Sequence, residues 1–580
     1  MTPTPSTPPP ARAGAPAGSF CLVLHGHLPW VLHHGHWPHG EVWLFEAAAE
    51  TWLPLLEVVE ACVAEGTPVP LTLGLMPILL EQLRHPGFQD RFPTWMAQQA
   101  ARAVADHQEF TARGDLHLAF LAERWRRHYE QLGRQFESIG RDIAGAFARL
   151  ARDGHIELLT SNATHGYMPL VLHDACARAQ VRAGVATSER VFGMRPKGAW
   201  LPECAYRPAG PWKPPVVHGD TRVRAGVEEI YAQEGIGYFF VDAHLFRGAR
   251  SEGIIATNGS GKSTFGKVGW DQATWDEGRA WRSVLEPHLV SSTGGPGRLV
   301  ALARHPEVSE QVWSGEVGYP GDGRYLEFHK KHGSEGLRYW KVTGAKTDLG
   351  AKHPYQPDDV TAAVFTQSQH FVAVVRAVLE RHKERTGRHG VVVAPFDAEL
   401  FGHWWSEGPR FLREVFRAMA HDAAIEPTTV SAFLAAHPPD KVVALPEGSW
   451  GAGGDHSVWM TDELKWTWEA EYRAEDRFLD MLDRLPWETN PRVEEAMKAA
   501  ARELLLLQAS DWQFVVTTKG AVDYGFRRFS EHLACFDRAS NVAEARAKGG
   551  GEDAISLLEL EDIRLHDAVF PDLSLGWWRA

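Results

Sequence analysis

Sixty Lys and Arg against 74 Asp and Glu leave a formal charge of −14 over 580 residues, which argues against a nucleic-acid partner, because a phosphate backbone calls for a basic face. A hydrophobic content of 44% with 23% charged residues is that of a globular chain, long enough for roughly two to four domains, and no apolar run approaches the ~20 residues of a membrane span. Cys21, Cys62, Cys176, Cys204 and Cys535 lack CxxC spacing, so neither a disulfide framework nor a structural zinc site is expected, and a reducing cytoplasm is the natural compartment.

Residues 1–18 are Pro/Ala/Thr-rich without an apolar stretch and read as a disordered tail. Phe20–Leu28 has strand character and stops at Pro29. A loop of His, Trp and Gly follows from Trp30 to Gly40, and Glu41–Glu65 repeats apolar residues at helical spacing. Val69–Leu75, Ile156–Ser161, Gly198–Pro202, Ile236–Asp242 and Gly390–Phe396 are further strand candidates. Helices are expected at Phe136–Asp153, Ala175–Phe192 and Val360–Thr386. This alternation predicts a parallel α/β sheet or barrel, whose active site opens at the C-terminal ends of the strands. The division expected is a catalytic barrel over 19–207 and 263–445, interrupted by a small inserted subdomain at 208–262 around the short helix Arg222–Gly235. From Pro446 the period becomes helical, with Thr461–Leu485, Asn490–Gln508 and Phe526–Ala547 forming a C-terminal helical domain over 446–547. Residues 548–580 read as a linker and tail.

Several groups fall where such a site would open. His25 and His27, two apart, face one side of the first strand and could meet a ligand or a metal. No carboxylate or Cys stands at zinc-ligand spacing beside them, which favours polar contacts to a hydroxyl-rich ligand over an ion. Thr160-Ser-Asn-Ala-Thr-His165-Gly-Tyr167 would line a cleft or form a solvated loop. Glu203 and Asp397 each follow an apolar strand, among aromatic residues, an expensive place for a charge that is not used. If both strands belong to one barrel, two carboxyls share one face, which is the equipment of glycoside chemistry. Arg304, Trp313, the Gly318–Asp322 turn with Gly321, Trp450, Trp459 and Asp511 add stacking and hydrogen-bonding groups for a long polysaccharide. With 23 Trp and 29 His in the chain, flat amphipathic rings suited to sugar faces are plentiful. Ala256–Ser263 loosely fits a phosphate-binding loop, but Thr264–Trp270 is a poor helix opening and nucleotide binding is set aside.

HGHLPW at His25–Trp30, GHIELLTSNATHGYMPL at Gly154–Leu170, WLPECAY at Trp200–Tyr206, APFDAELFGHWW at Ala394–Trp405 and SDWQF at Ser510–Phe514 resemble the five signature regions of family-57 glycoside hydrolases, in that family's order. Length and the SDWQF region make the chain most similar to the 1,4-α-glucan branching enzymes of that family. The resemblance implies an incomplete (β/α)7 TIM-like barrel with a small inserted domain and a C-terminal helical domain. It implies Glu203 as nucleophile and Asp397 as general acid/base, with no cofactor and no metal. His25, His27, His165, Arg304, Trp313, Gly321, Trp450, Trp459 and Asp511 match positions implied to bind α-glucan. The activity implied is retaining transfer that makes an α-1,6 branch; the same site working with water or a 4-hydroxyl would make an α-amylase or a 4-α-glucanotransferase.

Overall fold

The computed structural model describes residues 15–216, 219–257, 263–267, 282–293, 295–314, 317–333, 335–549 and 554–579. Most of the expected tail at 1–18 and the Asn258–Lys262 part of the phosphate-loop lookalike lie outside these residues. Five strands, β1 (Gly18–Gly26), β2 (Leu71–Leu75), β3 (Glu157–Leu159), β4 (Gly198–Ala199) and β5 (Tyr238–Val241), are joined by β6 (Gly295–Ala303) and β7 (Gly390–Asp397). β1 pairs in parallel with both β7 and β2, and β2 with β3. β4 pairs in parallel with β5, and β5 with β6. Two single parallel bridges, Thr160 to Ala199 and Arg304 to Val393, join these groups edge to edge, so the order returns to β1. The β6–β7 junction is thin because the antiparallel strand His288–Ser292 occupies most of the free edge of β6.

The strands are buried on both faces, as parallel sheets covered by helices are. In β1, Phe20, Leu22 and Leu24 pack outward into the main core with the surrounding helices, while Cys21 and Val23 point into a smaller inner core. That inner core also holds Tyr238 and Phe240 of β5, Val300 and Leu302 of β6, and Val391 and Val393 of β7. Side chains alternate with period two along a strand. The next inward positions are therefore His25, Asp242, Arg304 and, two steps on, Asp397. Each inward row, apolar along its length, ends in a polar group at the C-terminal rim.

The structure departs from these expectations in four places. The predicted helix Phe136–Asp153 is broken, because Gly140 and Arg141 take positive φ between helices Leu116–Ser138 and Ile143–Arg152. Helix Pro86–Ala112, packed against Leu116–Ser138, was not anticipated. The 208–262 stretch divides: Gly210–Trp212 and Arg222–Arg224 form a small ladder of their own, whereas Tyr238–Val241 and Arg250–Thr257 run in the large sheet. The region after 548 is folded where it is described, with helix Ala554–His566 and a tight turn at Leu575–Trp578. Trp578 is 2% exposed and meets Phe478 at 5.0 Å between ring centroids. Trp578→Ala should therefore cost about 3–5 kcal/mol, the usual loss for a buried aromatic. Thermal or urea unfolding measures this, and an unchanged midpoint would return the segment to the status of a tail.

Candidate active site

A cavity of about 940 Å³ opens at the C-terminal ends of the ring strands, and His25, His27, His165, Glu203, Arg304, Trp313, Asp397, Trp450, Trp459 and Asp511 all border it. Gly321 does not. It closes the turn Tyr319–Gly321, whose Pro320 borders an adjoining depression that shares Phe328 and Trp404 with the cavity.

Glu203 sits in a tight turn directly after β4, with φ 60° and ψ 22°, and Cys204 follows at φ 46°. Two successive non-glycine residues in the left-handed region cost on the order of 1–3 kcal/mol each and persist only where the surroundings over-determine them. Here the surroundings are the segment Gly448–Trp450. Gly448 and Tyr206 exchange backbone hydrogen bonds, at 2.8 and 3.0 Å, and the Trp450 N–H donates to the Glu203 carbonyl at 3.0 Å. The indole Nε1–H of Trp450 donates to Glu203 Oε2 at 2.8 Å, and the Ser510 hydroxyl donates to Oε1 at 3.3 Å.

Asp397 ends β7 in register with His25 on β1. Burial pushes its carboxyl up to about 7 against the opposing pull of His27 and Arg304. Burial also pushes Glu203 up to about 8, opposed by the Trp450 hydrogen bond and reinforced by the charges of Asp511 and Asp397. Those values alone would take the first proton from Asp397. The hydrogen bonds argue the other way, since Glu203 receives two donors that favour its charged form.

Around them the histidines form a stack. His25 lies over Trp200 at 4.6 Å, and His165 lies 5.0 Å from His25 and 4.0 Å from His27. Burial, with neighbouring imidazoles, holds His25 and His165 well below the usual histidine range, hence neutral. His27 Nε2 meets Asp511 at 2.9 Å. Ligand atoms of His27, His165 and Asp511 lie within 4.8 Å of one another, so this trio is where an ion would be sought. Its two rings are nearly parallel, 21° apart, so their in-plane lone pairs run side by side instead of converging as a tetrahedral ion requires. The trio suits hydrogen bonding to hydroxyls better than coordination.

The aromatic walls differ in what they offer. Trp313 and Trp450 are half-buried at the cleft and meet edge to face at 6.5 Å. Trp459 is 1% exposed, with Tyr167 stacked on it at 4.5 Å and Phe514 at 6.3 Å. It cannot present an open face to a sugar, but its indole N–H is buried without a partner among the described residues. Gly451 permits this arrangement, because a Cβ there would lie 2.7 Å from the Trp459 ring.

Asp242, Glu399 and His403 are ionisable residues at the site that the sequence leaves unassigned. Asp242 follows β5 and pairs with Arg304; an acid directly after an apolar strand is the signal that marked Glu203 and Asp397. Glu399 is buried and accepts the His27 backbone N–H at 3.1 Å, and burial with the charge of Asp397 raises its carboxyl well above the usual range.

Residues 21–446 match the family model of glycosyl hydrolase family 57, and residues 471–578 match that of the 1,4-alpha-glucan branching enzyme C-terminal region. A 1,4-alpha-glucan branching enzyme of Thermococcus kodakarensis is 38% identical over 549 residues, 94% of this chain and 76% of that protein. The crystal structure of a GH57-type branching enzyme from Pyrococcus horikoshii matches with a TM-score of 0.86 at 36% identity, covering 97% of each chain. That of the alpha-amylase AmyC from Thermotoga maritima matches with a TM-score of 0.79 at 27% identity, covering 97% of this chain and 99% of that one.

The raised acids carry a stability signature. In the unfolded chain they release their protons near pH 4, so what their retained protons contribute to the fold is present below that pH. For Asp397 it is lost as pH rises through about 7. Asp397→Asn, which cannot ionise, should melt above the unsubstituted protein at about pH 9 and nearly with it at about pH 5. Melting curves that stay superimposed at the higher pH would show that Asp397 is not held in its neutral form.

Proposed function

The chain belongs to glycosyl hydrolase family 57, and we propose that it is a 1,4-α-glucan branching enzyme working by retention. The observation that carries this reading is the delivery of Glu203 and Asp397, from two strands of one ring, to a single aromatic-walled cavity. The match of residues 471–578 to the branching-enzyme C-terminal model supports branching in particular, since that region begins at helix Lys465–Arg484 and includes Ser510 and Asp511 on the cleft.

An α-1,4-linked chain lies along Trp313 and Trp450, its hydroxyls meeting neutral His25 and His165. Asp397, protonated, gives its proton to the glycosidic oxygen as a Glu203 carboxylate oxygen attacks the anomeric carbon. The shorter chain with a new free 4-hydroxyl leaves, and the donor segment remains as a glucosyl ester on Glu203. Asp397, now ionised, takes the proton of a 6-hydroxyl on a second glucan chain as that oxygen displaces Glu203, which forms the α-1,6 bond and restores both acids. Trp450 and Ser510 hold the Glu203 carboxylate before attack and take up its charge again on release. Arg304, fixed by Asp242, keeps a cation beside Asp397 at the stage when that group is ionised.

Whether a 6-hydroxyl, a 4-hydroxyl or water completes the second step depends on how far water is excluded from the acceptor side. Incubation with amylose, followed by enzymatic debranching and a count of chains against reducing ends, separates the three. Branching should raise the debranchable chain number with few new reducing ends. New reducing ends without branches would make the chain an amylase, and redistributed lengths without branches a 4-α-glucanotransferase. Asp397→Ala should lower turnover by on the order of 10²–10⁴-fold. Activity should fall on the acid side, where Glu203 holds a proton, and on the alkaline side, where Asp397 has lost its own.

A further inference from the structure

Behind one wall of the cleft lies a second cavity of about 330 Å³, bordered by helices Leu53–Ala64 and Leu116–Ser138 and by the segment around Glu407–Arg413. The wall between the two cavities is a buried relay. Glu50 borders the second cavity, accepts from Arg338 and meets His403 Nδ1 at 2.5 Å, while His403 borders the catalytic cleft. Arg338 also donates to the His403 carbonyl at 3.0 Å, and the Thr51 hydroxyl accepts the His403 N–H at 3.2 Å. Glu50 and Thr51 lie on a π-helical turn, Ala48–Trp52, set within an otherwise α-helical run, a device that recurs at functional sites.

We propose that this second cavity is a glucan-binding site distinct from the cleft, taking a short, uncharged stretch of α-glucan; the identity of the sugar rests on the function proposed above. Glu407 is 2% exposed. Its Oε1 accepts the Tyr355 O–H at 2.6 Å and the Leu326 N–H at 3.2 Å, while Oε2 has no partner among the described residues. Nε of Arg413 on the same wall is likewise buried without one. Native interiors leave few polar groups unmatched, at a cost of roughly 1–3 kcal/mol each. A ligand that answers an acceptor and a donor together must carry both functions, as hydroxyls do. Trp125 adds a half-buried aromatic ring, its Nε1 anchored on the Arg338 carbonyl at 2.7 Å. An anion is poorly matched, because Arg338 is neutralised by Glu50, Arg413 by Glu65, and Glu57 borders the same space as Arg124. Arg410 is exposed at the mouth and holds Thr361 Oγ1 at 3.1 Å, which leaves further donors for a sugar. A chain held here would touch Glu50 and so bear on His403 in the cleft.

Isothermal titration of the full-length protein with maltotriose tests this, using Asp397→Ala to stop turnover. Two sites per chain are expected. Arg410→Ala and, separately, Trp125→Ala should weaken one of them at least tenfold and leave the other unchanged, whereas Trp450→Ala should weaken only the other. A single site that is lost with Trp450→Ala overturns the second site and leaves the proposed function standing. No binding anywhere overturns both. Two sites indifferent to Arg410→Ala and Trp125→Ala, or inorganic phosphate binding that depends on Arg410 in place of the sugar, would also overturn the assignment.

Discussion

One residue, Trp450, holds Glu203 in place by gripping it twice. Its backbone N–H fixes the carbonyl of a residue in a costly left-handed conformation, and its indole N–H fixes the carboxylate. Neither bond is local: Trp450 follows the strand Lys441–Ala444, and Glu203 follows β4. The strain of the 203–204 turn is offset by this distant segment, so the Glu203 carboxyl is placed by tertiary structure and not by its own sequence neighbourhood. The same grip brings the Trp450 ring to the cleft, where it meets both Trp200 and Trp313.

The ring of strands supplies the other half of the placement. Because side chains alternate, an inward row that begins as Val391 and Val393 must reach Asp397 on the same face, and the row of Val300 and Leu302 must reach Arg304. An apolar interior closes the site from beneath and lowers its dielectric. This is why burial dominates the behaviour of both acids and why a modest number of donors decides which carries charge. His25 and His165 extend the same logic, their neutral rings offering hydrogen bonds without adding charge to a site that already holds several carboxyls.

Much of this was legible in the linear chain. Strands β1 to β5 and β7 are short apolar runs with clear ends, and the acids stand at or a few residues past those ends, so Glu203 and Asp397 could be named from the pattern of apolar run, break and carboxyl. Asp242 carries the same pattern and could have been named with them. Gly321 was read from its turn and from the resemblance, and in the fold that turn stands beside the cleft without bordering it. Trp459 is at the cleft, yet its faces are covered by Tyr167 and Phe514, residues remote in sequence, so no local signal could show that only its N–H is available. Helix Pro86–Ala112 escaped because its apolar positions are sparse and Pro93 lies within it. The folded segment after 548 escaped because its burial depends chiefly on helices Asp174–Phe192 and Val522–Ala547, with Pro491–Leu507, and not on its own composition.

The loop that carries His165 is tied to the C-terminal helices: Ser510 N–H donates to the His165 carbonyl at 3.3 Å, Gly166 bridges to Ala509, and Asp511 reaches His27. The barrel thus contributes both acids but not the full set of groups that hold them. The pocket is therefore complete only where Trp450, Ser510 and Asp511, all later in the chain than either acid, have joined Glu203 and His27. Its borders are drawn from both ends of the polymer, so the cleft is as much a product of how the two regions dock as of either one alone.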